Sequence, residues 1–431
     1  MLFRWTAAMT LLSLTLVPAA APPAERLAIK AGTLIDGSGA GPVRNIVILV
    51  ENGKITSVGA APRIPAGTRV IDLSGSTVMP GFIDSHVHLT GRSIGEGENW
   101  EDASVRDLPQ EDAIRGVRNA RLTLEAGFTT VRNVGAEDFS DIALKRMIQA
   151  DVVPGPRIIA AGHSIGITGG HCDTNGYNPG VFDPDIRHGV ADGSEQVMAS
   201  VRYQIKQGAD VIKFCATGGV LSEGDAVGVQ QYTLDEMRAI VTAAHLAERK
   251  VAAHAHGTEG IKTAVRAGVD SIEHGSMLDD EAIALMKEHG TFLVPTRMAQ
   301  EAVTGQARTG VLKGLRAEKA LFIGPRAQES FRKAARAGVK IALGTDAGVF
   351  PHGTNGHEFT LMVEDGLPPM KAIVAGTSAA AELLGLSHEV GVIKEGFTAD
   401  IVAVKGDPLA DIKLLERVDF VMKSGVVVKG N

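Results

Sequence analysis

The sequence predicts an α/β protein: a (β/α)8 TIM barrel with a small β-sandwich domain formed by both ends of the chain. Strand-like apolar segments alternate with helix-like segments over residues 81–385, which is the pattern of a parallel sheet wrapped by helices. Residues 26–80 and 386–431 hold only short strand patterns separated by turn residues. The chain has 431 residues, of which 44% are hydrophobic, and this is enough to fill a core of that size.

The first 20 residues have the pattern of a signal peptide. Arg4 supplies a positive charge, residues 7–17 are apolar, and Pro18 precedes three alanines that suit a cleavage site. The apolar run is too short to span a bilayer. We therefore expect a periplasmic or secreted mature protein, with an uncleaved N-terminal helix as the alternative. No later segment has the length and apolarity of a membrane span.

The predicted β-sandwich takes strands from both ends of the chain. Strand patterns with turn residues occupy five segments, at 28–37, 45–54, 70–78, 399–404 and 419–428. Asn52-Gly53 marks a hairpin in the second segment, and Ser424-Gly425 marks a turn in the last one. The segment 70–78 reads as a strand pair. The barrel is then a single insertion into the terminal domain.

Eight strands are predicted in the central domain. They lie at 82–88, 129–133, 157–160, 211–214, 251–254, 271–274, 291–294 and 340–346. Each of the last seven follows a helical pattern, at 111–126, 142–150, 195–207, 234–249, 260–267, 281–289 and 326–337. The strands are continuous apolar runs, as expected for parallel strands that are buried on both faces. A doubly wound open sheet is the alternative, but it would not bring eight strand ends around one pocket.

Charge and cysteine content restrict the possible functions. The formal net charge is −7 and the chain has no basic run, so we expect no nucleic-acid partner. Cys172 and Cys215 are the only cysteines, too few for a disulfide scaffold. One disulfide is possible, but we expect both thiols to be free because Cys215 falls inside a predicted core strand.

Potential metal ligands stand at the C-terminal ends of the predicted barrel strands, where the active sites of such barrels lie. His86 and His88 are two residues apart on a strand, so their side chains point the same way and suit a metal ion. Other strands end in Lys213, His254, His256, His274 and Asp346. Each histidine alone could be a core residue, and Asp346 could cap a helix. Together they predict a two-metal site.

Lys213 is the hardest of these residues to explain as a structural one. It lies among Val211, Ile212 and Phe214, where an unpaired ammonium costs several kcal/mol. Burial lowers the pKa of a lysine, and a neutral amine can react with CO2 to give a carbamate, which is an anionic ligand with two oxygens. A buried Lys–Glu pair is the alternative.

These segments together resemble the amidohydrolase superfamily in its binuclear form with a carboxylated lysine. The resemblance covers nearly the whole mature chain and is carried by Pro80–His88, Ile212-Lys213, Ile272–Gly275, Gly344–Asp346 and Gly391–Val402. Within the superfamily the chain is similar to imidazolonepropionase-like peptidases, which include prolidase-type and Xaa-Arg/Lys dipeptidases and ochratoxin-hydrolysing amidohydrolases. The resemblance also implies a homo-oligomer.

The resemblance implies two divalent metal ions and assigns their ligands. Nitrogen and oxygen ligands favour zinc, with manganese and cobalt as alternatives. One ion would be held by His86, His88 and Asp346 and the other by His254 and His274, with carboxylated Lys213 and a hydroxide as bridges. His256 faces the same way as His254, but the family's spacing favours His254 as the ligand.

The resemblance also implies a reaction. The bridging hydroxide would attack an amide carbonyl, while Asp346 passes the proton of the water to the leaving amine as general acid/base. His256 would reach the substrate and stabilise the oxyanion. The expected substrates are dipeptides or N-acyl amino acids with a free carboxylate, including amides such as ochratoxin A.

Further residues are candidates for substrate contacts. His163 and His171 lie in a Gly-rich loop after the third strand, and Arg297 follows the seventh and could pair with a substrate carboxylate. A structural bond or a surface salt bridge is an equal alternative for each. The loops 91–107 and 218–232 are the predicted lids.

Three other functions compete with this reading. The first is hydrolysis of a cyclic amide, as in an imidazolonepropionase or a lactamase. A deaminase is disfavoured because mononuclear deaminases of the superfamily do not use the bridging lysine. An inactive barrel that serves as a scaffold is the non-enzymatic alternative, and metal content separates it from the others.

Overall fold

A computed structural model of the chain describes residues 26–60, 62–94 and 105–430. The predicted signal peptide and residues 95–104 of the first predicted lid lie outside the described residues. Among the helices that the structure describes, none is long and apolar enough to cross a membrane.

Both ends of the chain contribute to one seven-stranded sheet. Its strands are β1 (Arg26–Leu34), β2 (Val43–Glu51), β3 (Lys54–Gly59), β4 (Arg69–Pro80), β12 (Ile401–Lys405), β13 (Phe420–Lys423) and β14 (Val426–Lys429). They follow the order β14-β13-β12-β4-β1-β2-β3. The sheet buries its own apolar cluster, to which both ends of the chain contribute, with Ile29, Ile48 and Phe420 among its members.

Strand β4 joins the two halves of this sheet. It pairs in parallel with β1 along most of its length and antiparallel with β12 over residues 76–80. The segment 70–78 is therefore one continuous strand and not the predicted strand pair. All seven strands of the terminal domain are joined in this one hydrogen-bonded order.

Seven regular parallel strands form the barrel. They are β5 (Phe82–Val87), β6 (Phe128–Asn133), β7 (Arg157–Ala160), β8 (Val211–Cys215), β9 (Lys250–Ala255), β10 (Ser271–His274) and β11 (Phe292–Val294). They pair in the orders β5-β6-β7 and β11-β10-β9-β8. The helices between them are α1 (Pro109–Glu125), α2 (Ser140–Gln149), α3 (Gly193–Gln207), α4 (Leu234–His245), α5 (Thr258–Ala267) and α6 (Asp280–His289).

Backbone hydrogen bonds join the two parallel sheets on both sides. On one side the amide of Ala342 donates to Leu293 O (3.0 Å), and the amide of Ser85 donates to Leu343 O (2.8 Å). On the other side the amide of Ile165 donates to Lys213 O at 2.9 Å. The predicted barrel fold is confirmed. Its eighth strand, at 340–346, is irregular: Ile341 forms an isolated parallel bridge with Leu293, and Asp346 at its end takes a left-handed backbone conformation with φ of +62°.

The helices after β11 are α7 (Arg297–Thr309), α8 (Gly314–Ala337), α9 (His357–Glu364), α10 (Pro369–Ala375) and α11 (Ser378–Leu383). Two of them, α7 and α8, contact the second predicted lid, residues 218–232. Lys319 on α8 is buried and donates to Asp225 Oδ1 at 2.8 Å. Val220 of the lid packs with Val303 and Ile323 in one apolar cluster. These contacts anchor the lid segment to α7 and α8.

Candidate metal centre

The C-terminal ends of the barrel strands open into one cavity of about 590 Å³. The predicted site residues that line it are His86, His88, His163, His171, Lys213, His254, His256, His274 and Asp346. Arg297 is absent from this lining. The fold therefore brings residues from six separate strand ends and one loop to the same place.

Asp346 lies between His86 of β5 and His88, which directly follows that strand. Its Oδ1 atom is 3.4 Å from His86 Nε2 and 3.3 Å from His88 Nε2. Burial alone would raise the pKa of Asp346, but the two imidazoles hold it well below its usual range. An ionised carboxylate and two convergent ring nitrogens form the first group of possible metal ligands.

His254, His256 and His274 form the second group. The ring centroid of His254 is 4.7 Å from that of His256 and 4.6 Å from that of His274. Burial and the neighbouring imidazoles lower the pKa values of His254 and His274 far below the usual value and that of His256 to about 3. The three rings are therefore neutral near pH 7 and free of the proton that would compete with a metal ion.

Hydrogen bonds at Nδ1 orient the rings of four of these histidines. The Nδ1 atom of His86 is 2.7 Å from Glu273 Oε2, and that of His88 is 3.0 Å from Gly135 O. The Nδ1 atom of His274 is 2.7 Å from Thr296 Oγ1, and that of His256 is 2.8 Å from Ser276 Oγ. Each bond leaves Nε2 available, which is the usual arrangement of metal-binding histidines.

Glu273 and Arg132 form a buried ion pair behind His86 that the sequence analysis did not assign. Arg132 Nη2 donates to Glu273 Oε1 at 2.8 Å, while Glu273 Oε2 holds the ring of His86. Burial would raise the pKa of Glu273, but Arg132 and His86 lower it to about 2. The available signal was a glutamate inside the apolar strand that ends in His274.

Lys213 is buried, with 3% of its surface exposed. Its ammonium makes no hydrogen bond or ion pair within the described part of the chain. Burial lowers its pKa to about 8, although the charges of Glu273 and Asp346 act in the opposite direction. A much larger fraction of this amine is neutral near pH 7 than of an exposed lysine, and only the neutral form reacts with CO2.

The nitrogen and oxygen atoms gathered in this cavity are suited to bind metal ions. His254 Nε2 is buried without a hydrogen-bond partner, and such an atom is costly unless a ligand satisfies it. Lys213 lines the same cavity. The orphaned nitrogen also favours His254 over His256 as a ligand, in agreement with the family's spacing.

The two loop histidines differ in their surroundings. The ring of His171 lies 4.2 Å from that of His254, and its Nδ1 atom is 2.8 Å from Ser222 Oγ. Gly219 permits this position, because a Cβ atom there would overlap the imidazole of His171. His163 accepts a hydrogen bond from the amide of Asp138 at 3.2 Å. His171 is therefore beside the metal ligands, whereas His163 is further back along the wall of the cavity.

The structure corrects the role predicted for Arg297. Its side chain is buried beside α9, where Nε donates to Asp365 at 2.8 Å and Nη1 donates to Gln300 at 3.1 Å. The guanidinium is therefore already paired outside the cavity. Because α7 begins at this residue, its side chain follows the helix away from the strand ends, and the prediction that Arg297 binds a substrate carboxylate is wrong.

The expectation of two free thiols is also wrong, because Cys172 and Cys215 form a disulfide. Cys215 lies two residues after Lys213 on β8, so the two side chains share a face. That face lines the cavity and does not pack into the outer core, which is why Cys215 reaches the loop that carries Cys172. The disulfide ties this loop, next to His171, to the barrel.

We expect loss of this disulfide to destabilise the protein. The bond closes a loop of 43 residues, and the chain-entropy model gives about 4 kcal/mol for a loop of that size. Replacing both cysteines by serine should lower the unfolding free energy in urea by up to this amount. A reductant should have the same effect on the wild type and none on the double variant. Two free thiols in the unreduced native protein would contradict the disulfide.

Known proteins are similar to this chain over most of its length. A family model described as the amidohydrolase family matches residues 77–428. The ochratoxinase of Aspergillus niger is 33% identical over 441 aligned residues, which cover 96% of this chain and 89% of that protein.

Two solved structures are similar over nearly their whole length. A Xaa-Pro dipeptidase with methionine bound in its active site superposes with a TM-score of 0.90 and 42% identity, covering 94% of this chain and 100% of the other. A prolidase complexed with N-methylphosphonate-L-proline superposes with a TM-score of 0.86 and 32% identity, again covering 94% and 100%.

Proposed function

The chain belongs to the amidohydrolase family and is a hydrolase of amide bonds, and from this premise we propose that it uses two metal ions to cleave dipeptides or N-acyl amino acids. The observation that carries the proposal is the convergence of the two ligand groups and Lys213 in one cavity. The similar Xaa-Pro dipeptidase, prolidase and ochratoxinase support the class of substrate, because a prolidase and a dipeptidase cleave next to an amino acid with a free carboxylate.

We assign the metal ligands as follows. His86, His88 and Asp346 would hold one ion, and His254 and His274 would hold the other, with Lys213 joining them in its carboxylated form. Zinc fits these nitrogen and oxygen ligands best. When bound, such ions lower the pKa of a water molecule and polarise the carbonyl of an amide.

Residues of the chain supply the proton transfers and the binding of the substrate. Asp346 is ionised at neutral pH, so its carboxylate can accept a proton from the attacking water and deliver it to the leaving nitrogen. His256 can donate from Nε2–H to the substrate carbonyl, with its Nδ1 atom accepting from the hydroxyl of Ser276. The neighbouring His171 is placed to contact the amide or the carboxylate of the substrate.

The cavity has apolar as well as charged residues in its lining. The apolar ones include Val190, Val220, Leu221 and Phe182. An amide-linked aromatic, as in ochratoxin A, or a proline or methionine residue would bury apolar area there. We therefore expect apolar C-terminal residues to be preferred over charged ones.

The proposal is tested by elemental analysis of the mature protein together with a panel of Xaa-Pro, Xaa-Met and Xaa-Phe dipeptides, N-acyl phenylalanines and ochratoxin A. We expect about two zinc ions per chain and amide hydrolysis that a chelator abolishes and zinc restores. Hydrolysis of imidazolone or lactam rings, without cleavage of any linear amide, would favour the cyclic-amide alternative. A protein without bound metal would overturn the proposal.

A further inference from the structure

Thr296 has an unusual backbone conformation next to the metal centre. It is completely buried and directly precedes α7, with φ of +48° and ψ of +47°. A β-branched residue rarely adopts this left-handed region, because its side chain crowds the backbone. Such strain persists only where the surrounding contacts favour it. The contacts of Thr296 therefore indicate the role of its side chain.

The hydroxyl of Thr296 does not cap the helix that it precedes. A threonine at this position usually accepts a hydrogen bond from an amide in the first turn, but Thr296 makes no such bond. The carboxyl group of buried Glu358 does so instead, its two oxygens accepting from the amides of Arg297 and Met298 at 2.8 Å each. This leaves the hydroxyl of Thr296 free to turn toward the metal centre.

The hydrogen bonds of Thr296 fix the direction of its bond to His274. A hydroxyl has one proton and can accept two hydrogen bonds. The proton of Thr296 goes to Pro295 O at 2.8 Å, and Gln300 Nε2 donates to its oxygen at 3.0 Å. Thr296 Oγ1 therefore has only one lone pair left for His274 Nδ1, which lies 2.7 Å away. With the hydroxyl proton on Pro295 O, the imidazole carries its own proton on Nδ1.

We propose that Thr296 is a positioning residue that holds His274 in the Nδ1–H tautomer and so directs the lone pair of Nε2 at the metal centre. The proposal rests on the proposed function, because it concerns a ligand of the assigned metal site. It extends that function by identifying the residue that prepares one ligand before the metal arrives. Losing such a bond to a ligating histidine lowers metal affinity by about 10- to 100-fold.

Thr296→Ala and Thr296→Ser form a matched pair for the test. Both variants remove the β-branch that is strained at this φ, and they differ only in the hydroxyl. Zinc affinity of the metal-free proteins is measured by competition with a chromophoric chelator, and their melting temperatures are compared. We expect Thr296→Ala to weaken one of two zinc sites about 10- to 100-fold, and Thr296→Ser to bind zinc like the wild type.

Equal zinc affinities for the alanine variant and the wild type, or an equal loss in both variants, would overturn the proposal. Failure of the wild type to bind zinc would instead reject the proposed function. A second measurement does not depend on the folding of a variant: 15N NMR of histidine-labelled, metal-free wild type, with His274→Asn to assign the signals. An Nδ1–H tautomer at His274 supports the proposal, and an Nε2–H tautomer overturns it.

Discussion

Replacing Asp346 by asparagine is expected to lower kcat/KM for a dipeptide by about 10²- to 10⁴-fold, the range that general acid–base catalysis contributes. The amide keeps the shape of the carboxylate but cannot carry a proton from the water to the leaving nitrogen. It also removes the negative charge between His86 and His88. Asparagine tolerates left-handed backbone well, so the φ of +62° at this position should not prevent folding. Steady-state kinetics with the most active substrate provide the measurement.

Asp365→Asn is the matched control for this variant. Asp365 is also buried, but its carboxylate pairs with Arg297 outside the cavity. We expect the control to lower the melting temperature and to keep kcat close to the wild-type value when fully folded. If Asp346→Asn retained wild-type kcat/KM, Asp346 would not be the proton carrier, and the assignment of His86, His88 and Asp346 as one ligand group would need revision.

The barrel was predictable because its signals are local. Each strand is a short apolar run next to a helical pattern, and parallel strands buried on both faces leave little ambiguity in such a sequence. The ligands were predictable for a related reason. The His-x-His pair at the end of β5 and the single polar residues at the ends of other apolar strands must gather at the C-terminal face once the barrel forms.

The contacts behind the ligands were not predictable, because they join residues distant in sequence. Glu358 holds the start of α7, about 60 residues earlier in the chain, and Arg132 reaches Glu273 across the barrel. Nothing local distinguishes Thr296 from any threonine that precedes a helix. Its role can be recognised only from the structure, in which Glu358 caps α7 in its place. The predictions for Arg297 and Cys215 were wrong because the sequence alone does not show which way a side chain points at the end of a helix or strand.

Replacing Lys213 by alanine is expected to have the second large effect, on both zinc content and activity. Lys213→Ala removes the proposed ligand between the two groups of metal ligands, and we expect the zinc content to fall from about two ions per chain to one or fewer. Even removing an outer-shell partner of a ligand costs about 10- to 100-fold, so kcat/KM should fall by at least about 10²-fold. Added acetate or propionate, which fits the space left by the side chain, should restore part of the activity.

Two further measurements separate carboxylation from a simple effect of losing a buried lysine. Lys262→Ala is the matched control, because Lys262 is also buried but pairs with Asp279 and Glu281 away from the cavity. This variant should lower the melting temperature without loss of zinc.

Reconstitution of the metal-free wild type with zinc should be slow in CO2-free buffer and fast with bicarbonate. In addition, 13C-bicarbonate should give a carbamate resonance that Lys213→Ala lacks. Reconstitution that is indifferent to bicarbonate, together with undiminished zinc in Lys213→Ala, would leave Lys213 without a role as a ligand. The buried amine with its pKa lowered to about 8 would then need a different explanation, such as a direct contact with the substrate.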